Sequence, residues 1–132
     1  MYKIKRIIPF LFFVAFVLLL TACSSEWSDV SDTARNLGEQ AIRIADDFID
    51  GEITAPVAHS RLQNLNVAEE IPFDSDVSAA DSLIRGRVIG MGSNLTLAAT
   101  GSGAGSISVS EARERIQEAR DFLADGLGLR RR

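Results

Sequence analysis

Cysteine, lysine and histidine are scarce in this sequence of 132 residues, and each scarcity excludes a class of chemistry. The single cysteine, Cys23, cannot form an internal disulfide framework or a cysteine-based zinc site. Both lysines, Lys3 and Lys5, stand at the start, so residues 23–132 offer no serine–lysine catalytic pair. The one histidine, His59, has no Gly-x-Ser-x-Gly elbow to act on. We therefore expect a protein that is not an enzyme.

Positive charge is also scarce after the first 22 residues. Residues 23–132 carry all eighteen acidic residues against eleven arginines, a net charge of −7, whereas the whole chain has −4. An acidic body of this kind is a poor partner for nucleic acid. About 110 residues suffice for one small domain with a modest core. The composition predicts one acidic domain with no nucleic-acid partner, and no motif calls for a cofactor.

The first 22 residues have the opposite character. Lys3, Lys5 and Arg6 make a short positive start, and an apolar run of 14 residues then extends from Ile7 to Leu20. A run of this length fits the hydrophobic region of a signal peptide, and it is shorter than the ~20 residues that span a bilayer. The sequence therefore predicts a signal peptide at residues 1–22.

The apolar run ends in Leu20-Thr21-Ala22-Cys23, which resembles the lipobox of bacterial lipoproteins. The resemblance implies that Leu20, Thr21 and Ala22 are recognised by signal peptidase II, which cleaves just before Cys23. It also implies that the thiol of Cys23 carries a diacylglycerol, whose two acyl chains hold the protein on a membrane where a single chain is marginal. The alternative is an uncleaved N-terminal membrane anchor that ends by chance in a cysteine.

The residue after the cysteine bears on location. In the sorting rule of Gram-negative lipoproteins, Asp at this position favours the inner membrane, so Ser24 favours the outer membrane. In a Gram-positive cell the protein would lie on the outer face of the plasma membrane. Residues 23–32 are predicted to be a lipidated tether that reaches ~30 Å at most. Trp27 would lie either at the lipid headgroups or in a helix-packing contact.

Apolar residues in the rest of the chain recur with helical spacing, which predicts an all-α bundle of three to four amphipathic helices over residues 33–129. The first stripe is Val30, Ala34, Leu37, Ala41, Ile44 and Phe48. Asp50-Gly51 then predicts a stop, and Thr54 and Pro56 predict the start of a second helix with Ala58, Leu62 and Leu65 on its apolar side. The two helices form a hairpin at about residues 29–66.

Part of this hairpin, Asp47-Phe48-Ile49-Asp50-Gly51-Glu52-Ile53-Thr54 followed by Leu62 and Leu65, resembles one in uncharacterised small helical proteins of bacteria and phages. The resemblance supports the hairpin and implies no activity.

Two further helices are predicted after a loop at residues 66–76. The third covers about residues 77–99, with the stripe Val77, Ala80, Ile84, Val88, Met91, Leu95 and Ala98. Gly86, Gly90 and Gly92 weaken this helix and predict a kink or a break near Gly90, and a strand over residues 87–89 is the alternative. A Gly/Ser linker at residues 100–107 leads to a fourth helix at about 109–126, which begins with a capping box from Ser108 to Glu111.

Three surface features remain as candidates for binding. The acidic loop Glu69–Asp76 could attract a cation, although a solvated loop is the plainer interpretation. The pair Gly86 and Gly90 has the small-xxx-small spacing that lets helices approach closely, within the bundle or between two copies. The basic tail Arg130–Arg132 could either touch anionic headgroups or remain solvated.

These observations predict a membrane-anchored bacterial lipoprotein whose helical domain contacts an envelope protein or another envelope component. A small envelope protein that binds a cation or cationic ligand through the acidic loop is the alternative.

Overall fold

The computed structural model describes residues 26–100 and 105–129, and every element of secondary structure in these two stretches is helical. The helices are α1 (Asp32–Ile49), α2 (Ala55–Gln63), α3 (Val67–Glu70), α4 (Ala79–Ala99) and α5 (Val109–Gly126). The prediction of a small all-α bundle is thereby confirmed. The predicted signal peptide with its lipobox, Cys23 itself, residues 101–104 of the predicted linker and the tail Arg130–Arg132 lie outside the described residues.

Helix α1 begins and ends close to the residues that its sequence predicts. The Ser31 hydroxyl accepts a hydrogen bond from the Ala34 amide at 3.1 Å, which satisfies one of the free amides of the first turn. The helix ends at Ile49, and Gly51, two residues later, has a φ of +77° that suits glycine. The predicted stripe faces the core, with these members buried: Ala34, Leu37, Ala41, Ile44 and Phe48.

The second part of the hairpin is shorter than its stripe suggested. Thr54 stands at the N-cap of α2, but its side chain makes no capping hydrogen bond. Beyond α2, Asn66 adopts the left-handed conformation with a φ of +50°, and the single turn α3 follows it. Val67 and Ile71 from this turn are buried in the core. The predicted loop 66–76 therefore contains a helical turn, because two apolar residues reach the core from it.

Helix α4 is continuous over 21 residues. Its predicted stripe is buried, with Val77 packed partly buried against the core just before the helix begins. Of the predicted kink or break near Gly90, the break is wrong, and so is the alternative strand at residues 87–89, since both positions lie inside the helix. Buried neighbours on one face hold α4 together and outweigh the weak helix propensity of its glycines.

Helix α5 is capped by the Ser108 hydroxyl, which accepts from the Glu111 amide at 3.0 Å. The Glu111 carboxylate pairs with Arg115 at 2.8 Å. The Ser108 half of the predicted capping box is thus confirmed. The Glu111 side chain instead pairs with Arg115, one turn further along α5. The buried side of α5 is Ala112, Ile116, Ala119, Leu123 and Ala124.

Three long helices form the body of the bundle, and α2 packs beside α4. Helices α1 and α4 begin at the same end, because the Ser31 amide donates to the Asp81 carboxylate at 3.0 Å. Helix α5 runs the opposite way, since Arg35 near the start of α1 donates to the Leu127 carbonyl at 3.1 Å. We call this the Trp27 end, and the opposite end, where α1 stops and α5 begins, the Gly51 end.

The core between these helices is filled by a few large side chains among many alanines. The largest fully buried side chains are Phe48, Ile84, Met91, Leu95, Ile116 and Leu123. No helix within residues 26–100 and 105–129 has both the length and the apolar character that crossing a bilayer requires.

Candidate functional site

The residues of the predicted lipid site all precede the described part of the chain. Leu20, Thr21, Ala22 and Cys23 lie outside the described residues, and so does Ser24. The first described residue is Glu26, three positions after Cys23. The contacts of residues 26–31 with the bundle therefore show at which point of the bundle the described chain begins.

Trp27 is fixed to the end of α5 by both its backbone and its ring. Its amide donates to the Gly126 carbonyl at 2.8 Å, and its indole lies 5.3 Å from the Phe122 ring, centroid to centroid, at 57°. A Cβ atom added at Gly126 would stand 2.4 Å from the indole, which is a severe overlap. The helix-packing interpretation of Trp27 is thus the one that the structure shows. It depends on a glycine at the last residue of α5.

The residue before Trp27 is held in the same way. The Glu26 side chain passes over Gly128, where an added Cβ would lie 2.5 Å from its Oε1 atom. Gly128 has a φ of +71°, and the Leu129 amide donates to the Ala124 carbonyl at 2.8 Å, which closes the end of α5. Glu26, Trp27 and Val30 of the predicted tether 23–32 therefore contact the bundle.

Two charged residues on α4 are buried at the same end of the bundle. Asp81 and Arg85 are each 8% exposed and stand one helical turn apart, yet each serves a different segment. Asp81 accepts the Ser31 amide, so it supports the start of α1. The Arg85 Nη1 atom donates to the carbonyls of Pro72 and Ile71 at 2.7 and 3.3 Å, so it holds the segment after α3. Buried charges of this kind need such partners.

Arg85 and Arg87, two arginines of α4, each contact a different aromatic ring. The Arg85 guanidinium lies 3.6 Å from the centroid of the Phe73 ring, and that of Arg87 lies 4.0 Å from the Phe122 ring. Both geometries are those of cation–π contacts. Arg87, Phe122 and Trp27 thus form one stack that joins α4, α5 and the segment before α1.

The acidic loop is an exposed turn that hydrogen-bonds within itself. One oxygen of Asp74 accepts from the Ser75 hydroxyl at 3.3 Å and from the Asp76 amide at 3.4 Å. Glu69 and Glu70 are exposed on α3. Within the described ranges, no three or more His, Cys, Asp or Glu side chains are grouped to hold a metal ion. The loop therefore gives the predicted cation site no support.

His59 is half-buried on α2, at one side of a shallow groove of about 440 Å³ between α2, α3 and α4. The groove is lined by apolar and neutral polar side chains that include Leu62, Val67, Ile89 and Thr96. His59 and Glu69 are the titratable residues among those lining it. Such a wall offers contact area.

A second groove, of about 560 Å³, runs between α4 and α5. Gly86 and Gly90 lie along it, and a Cβ added at either glycine would have no atom within 4 Å. The interpretation that these glycines let helices approach closely within the bundle is therefore wrong for the described residues. A contact with a second copy stays a prediction.

An ion pair joins the last turn of α1 to α5. Arg120 donates from Nε and Nη2 to the two Asp46 oxygens at 2.8 and 3.4 Å. The hydrogen bond with Asp46 raises the pKa of Arg120, although partial burial works in the opposite direction. Bidentate geometry makes this pair a specific link between the two helices.

The contacts described above therefore hold loops and terminal segments against the helices. The most distinctive of them is the docking of Trp27 on α5, at the Trp27 end. No protein-family model, no curated protein and no solved structure matches this chain.

Proposed function

We propose that this protein is a membrane-anchored bacterial lipoprotein, whose helical domain is a non-enzymatic structural or protein-interaction module of the cell envelope. The observation that carries the proposal is the segment Leu20-Thr21-Ala22-Cys23 after a basic start and a 14-residue apolar run. A signal sequence of this kind specifies cleavage before Cys23 and attachment of a diacylglycerol to its thiol. The envelope location follows from that attachment, on the outer membrane of a Gram-negative host or the outer face of a Gram-positive plasma membrane.

The docking of Glu26 and Trp27 on α5 supports this proposal. A diacylglycerol on Cys23 would hold the domain close to the membrane, because the described fold begins three residues after that cysteine. The interaction role is supported by the two grooves beside α4, which offer contact area. The acidic loop adds no argument for cation binding, so the proposal does not extend to that alternative.

The proposal is tested by replacing the cysteine in a bacterial host that lipidates proteins. We expect the wild-type chain to incorporate labelled palmitate and to be shortened by the 22 residues before Cys23. The Cys23→Ala variant should incorporate no label and remain at precursor length. Ser25→Ala, which changes a nearby small residue, is the matched control and should be processed like wild type.

Two results would contradict the proposal. One is a wild-type chain that keeps its full length without label, which would indicate an uncleaved membrane anchor. The other is a Cys23→Ala chain that is cleaved and still found wholly with membranes. In a Gram-negative host, Ser24→Asp should in addition move the protein from the outer to the inner membrane.

A further inference from the structure

The side of α4 that faces away from the core carries no charged residue. Three charged residues stand in this helix of 21 residues, and none of them belongs to that side. Asp81 and Arg85 are buried, and Arg87 lies over the Phe122 ring of α5. We define the α4 outer face by the residues that helical spacing places opposite the buried stripe, all of them exposed or half-buried: Leu83, Gly86, Ile89, Gly90, Ser93 and Leu97.

The α4 outer face is apolar and small, unlike the other exposed helix sides. Leu83 and Ile89 are 45% and 41% exposed, and a Cβ added at Gly86 or Gly90 would meet no atom within 4 Å. The exposed side of α5, by contrast, is charged along its length: Glu111, Arg113, Glu114, Arg115, Glu118 and Asp125. Depletion of charge is typical of the centre of a protein interface, and this face is about 21 Å long.

The two grooves that flank the α4 outer face differ in charge. The groove beside α5 is lined by Arg87, Arg115 and Glu118, a net charge of +1. The groove beside α2 and α3 is lined by the acidic residue Glu69, and among the described residues no arginine or lysine lines it. One side of the face is therefore basic and the other side is acidic.

These opposite charges lie at the same height along α4. Arg115 donates to the Asn94 side chain at 3.1 Å, and Glu69 lines the same groove as Ser93. A two-fold axis parallel to α4 would therefore bring Arg115 of one copy opposite Glu69 of the other, and would do so twice. A two-fold axis across α4 would instead set the basic sides against each other and the acidic sides against each other, which is unfavourable.

The charge of the whole body favours this face for a second copy. Residues 23–132 carry a net charge of −7, so contact through the charged sides of α1 or α5 would crowd the carboxylates of two copies. The α4 outer face brings no carboxylate to the centre of the contact, and it places Glu69 opposite a side whose net charge is positive.

We propose that the α4 outer face is the interface of a parallel homodimer, in which the α5 side of each copy faces the α2–α3 side of the other. Gly86 and Gly90 let the two α4 backbones approach closely, and Leu83 and Ile89 lose their exposure to water. This dimer goes beyond the proposed function, because it does not require a lipid on Cys23. It places both Trp27 ends together, which suits two copies tethered to one membrane.

The first test is disulfide cross-linking of the full chain in a bacterial host that lipidates proteins. Ser93→Cys adds a thiol on the α4 outer face, and Thr33→Cys adds one at an exposed position of α1 as the matched control. After oxidation we expect Ser93→Cys to give a species of twice the mass of the chain, several-fold more than Thr33→Cys gives. The wild-type chain reports any cross-linking through Cys23, and where this occurs both variants are made with Cys23→Ala.

The second test exchanges charge between the two sides of the face, in chains that also carry Ser93→Cys. Arg115→Glu makes the α5 side acidic, and Glu69→Arg makes the α2–α3 side basic. Each change alone should lower the cross-linked fraction several-fold, because like charges then meet in both contacts. Coexpression of the two variants should restore it, since each offers the other the opposite charge. Arg113→Glu, an exposed arginine of α5 beside Gly51, is the matched control and should not lower the fraction.

The failures are distinguishable. Equal cross-linking at positions 93 and 33, or none at position 93, overturns the dimer. A cross-linked species of any other mass shows a different protein on this face and overturns the second copy as its occupant. Cross-linking that ignores both charge changes overturns the parallel arrangement. A chain that takes up no palmitate at Cys23 removes the proposed lipoprotein and leaves the dimer standing.

Discussion

At the scale of single residues, the docking of Trp27 depends on the absence of a Cβ atom at position 126. Gly126 has no Cβ, and this lets the indole lie directly on the last turn of α5. A methyl group at this position would compete for the same space as the ring. Gly126 therefore decides whether the segment before α1 belongs to the fold.

We predict that Gly126→Ala displaces Trp27 and destabilises the bundle by about 1–3 kcal/mol, the usual cost of overpacking. Urea denaturation followed by fluorescence of Trp27, the only tryptophan, measures both effects at once. Gly86→Ala is the control, because its Cβ meets nothing within 4 Å. Equal stability of the two variants would contradict the packing described here.

Asp81 acts at the same scale, since it supplies the acceptor for a backbone amide fifty residues away. We predict that Asp81→Ala costs about 1–3 kcal/mol, because the Ser31 amide is left without its acceptor. Asp81→Asn keeps an oxygen in place and should lose less. Asp32→Ala, which removes an exposed acid at the start of α1, should cost at most about 1 kcal/mol in thermal unfolding. A similar loss for Asp81→Ala and Asp32→Ala would show that the Ser31 contact carries little stability.

At the scale of elements, α1 shows how an unfavourable helix end is corrected by its neighbours. Asp46 and Asp47 stand in the last turns of α1, where the helix dipole disfavours acids. Asp46 is paired with Arg120 of α5 at 2.8 Å, and Asp47 with Arg61 of α2 at 3.5 Å. The first pair is the stronger link, because its arginine side chain is only 13% exposed, whereas the second pair lies in solvent.

Two glycines inside α4 lower the stability of the helix, and replacing them should raise it. Gly90 and Gly92 lie inside the helix with no atom near their missing Cβ atoms. Since glycine costs about 0.8–1.0 kcal/mol against alanine in a helix, Gly90→Ala/Gly92→Ala should stabilise the domain by up to about 2 kcal/mol. Thermal unfolding in dilute solution measures the gain. A loss of stability would contradict the open space described around these two glycines.

At the scale of the whole molecule, the sequence predicted the helices well because each has one apolar face. The stripes of α1, α4 and α5 coincide with their buried sides, since periodic apolar spacing is a local property. Turn α3 was missed because Pro72 and the surrounding acids dominate the pattern there. Only Val67 and Ile71 show that this segment reaches the core.

The contacts of the Trp27 end could not be predicted from the sequence, because they join residues far apart in the chain. Trp27 and Gly126 are 99 positions apart, and Ser31 and Asp81 are 50 apart. No local pattern identifies such partners, and Gly126 by itself predicts only a helix end. The lipobox is the opposite case, because a short segment of sequence is enough to predict it and no tertiary contact is involved.

The contact of Trp27 with Gly126 also determines the mechanical behaviour of the domain. Tension that arrives along the chain from Cys23 enters the fold at Glu26 and Trp27, and tension from the arginine tail leaves it at Leu129. Because these points adjoin, a pull between them acts first on the contacts that close this end, which are the Trp27–Gly126 and Leu129–Ala124 hydrogen bonds and the contact of the Trp27 ring with Phe122. We expect these contacts to yield before the core between the helices does, which would lengthen the connection while the bundle stays folded.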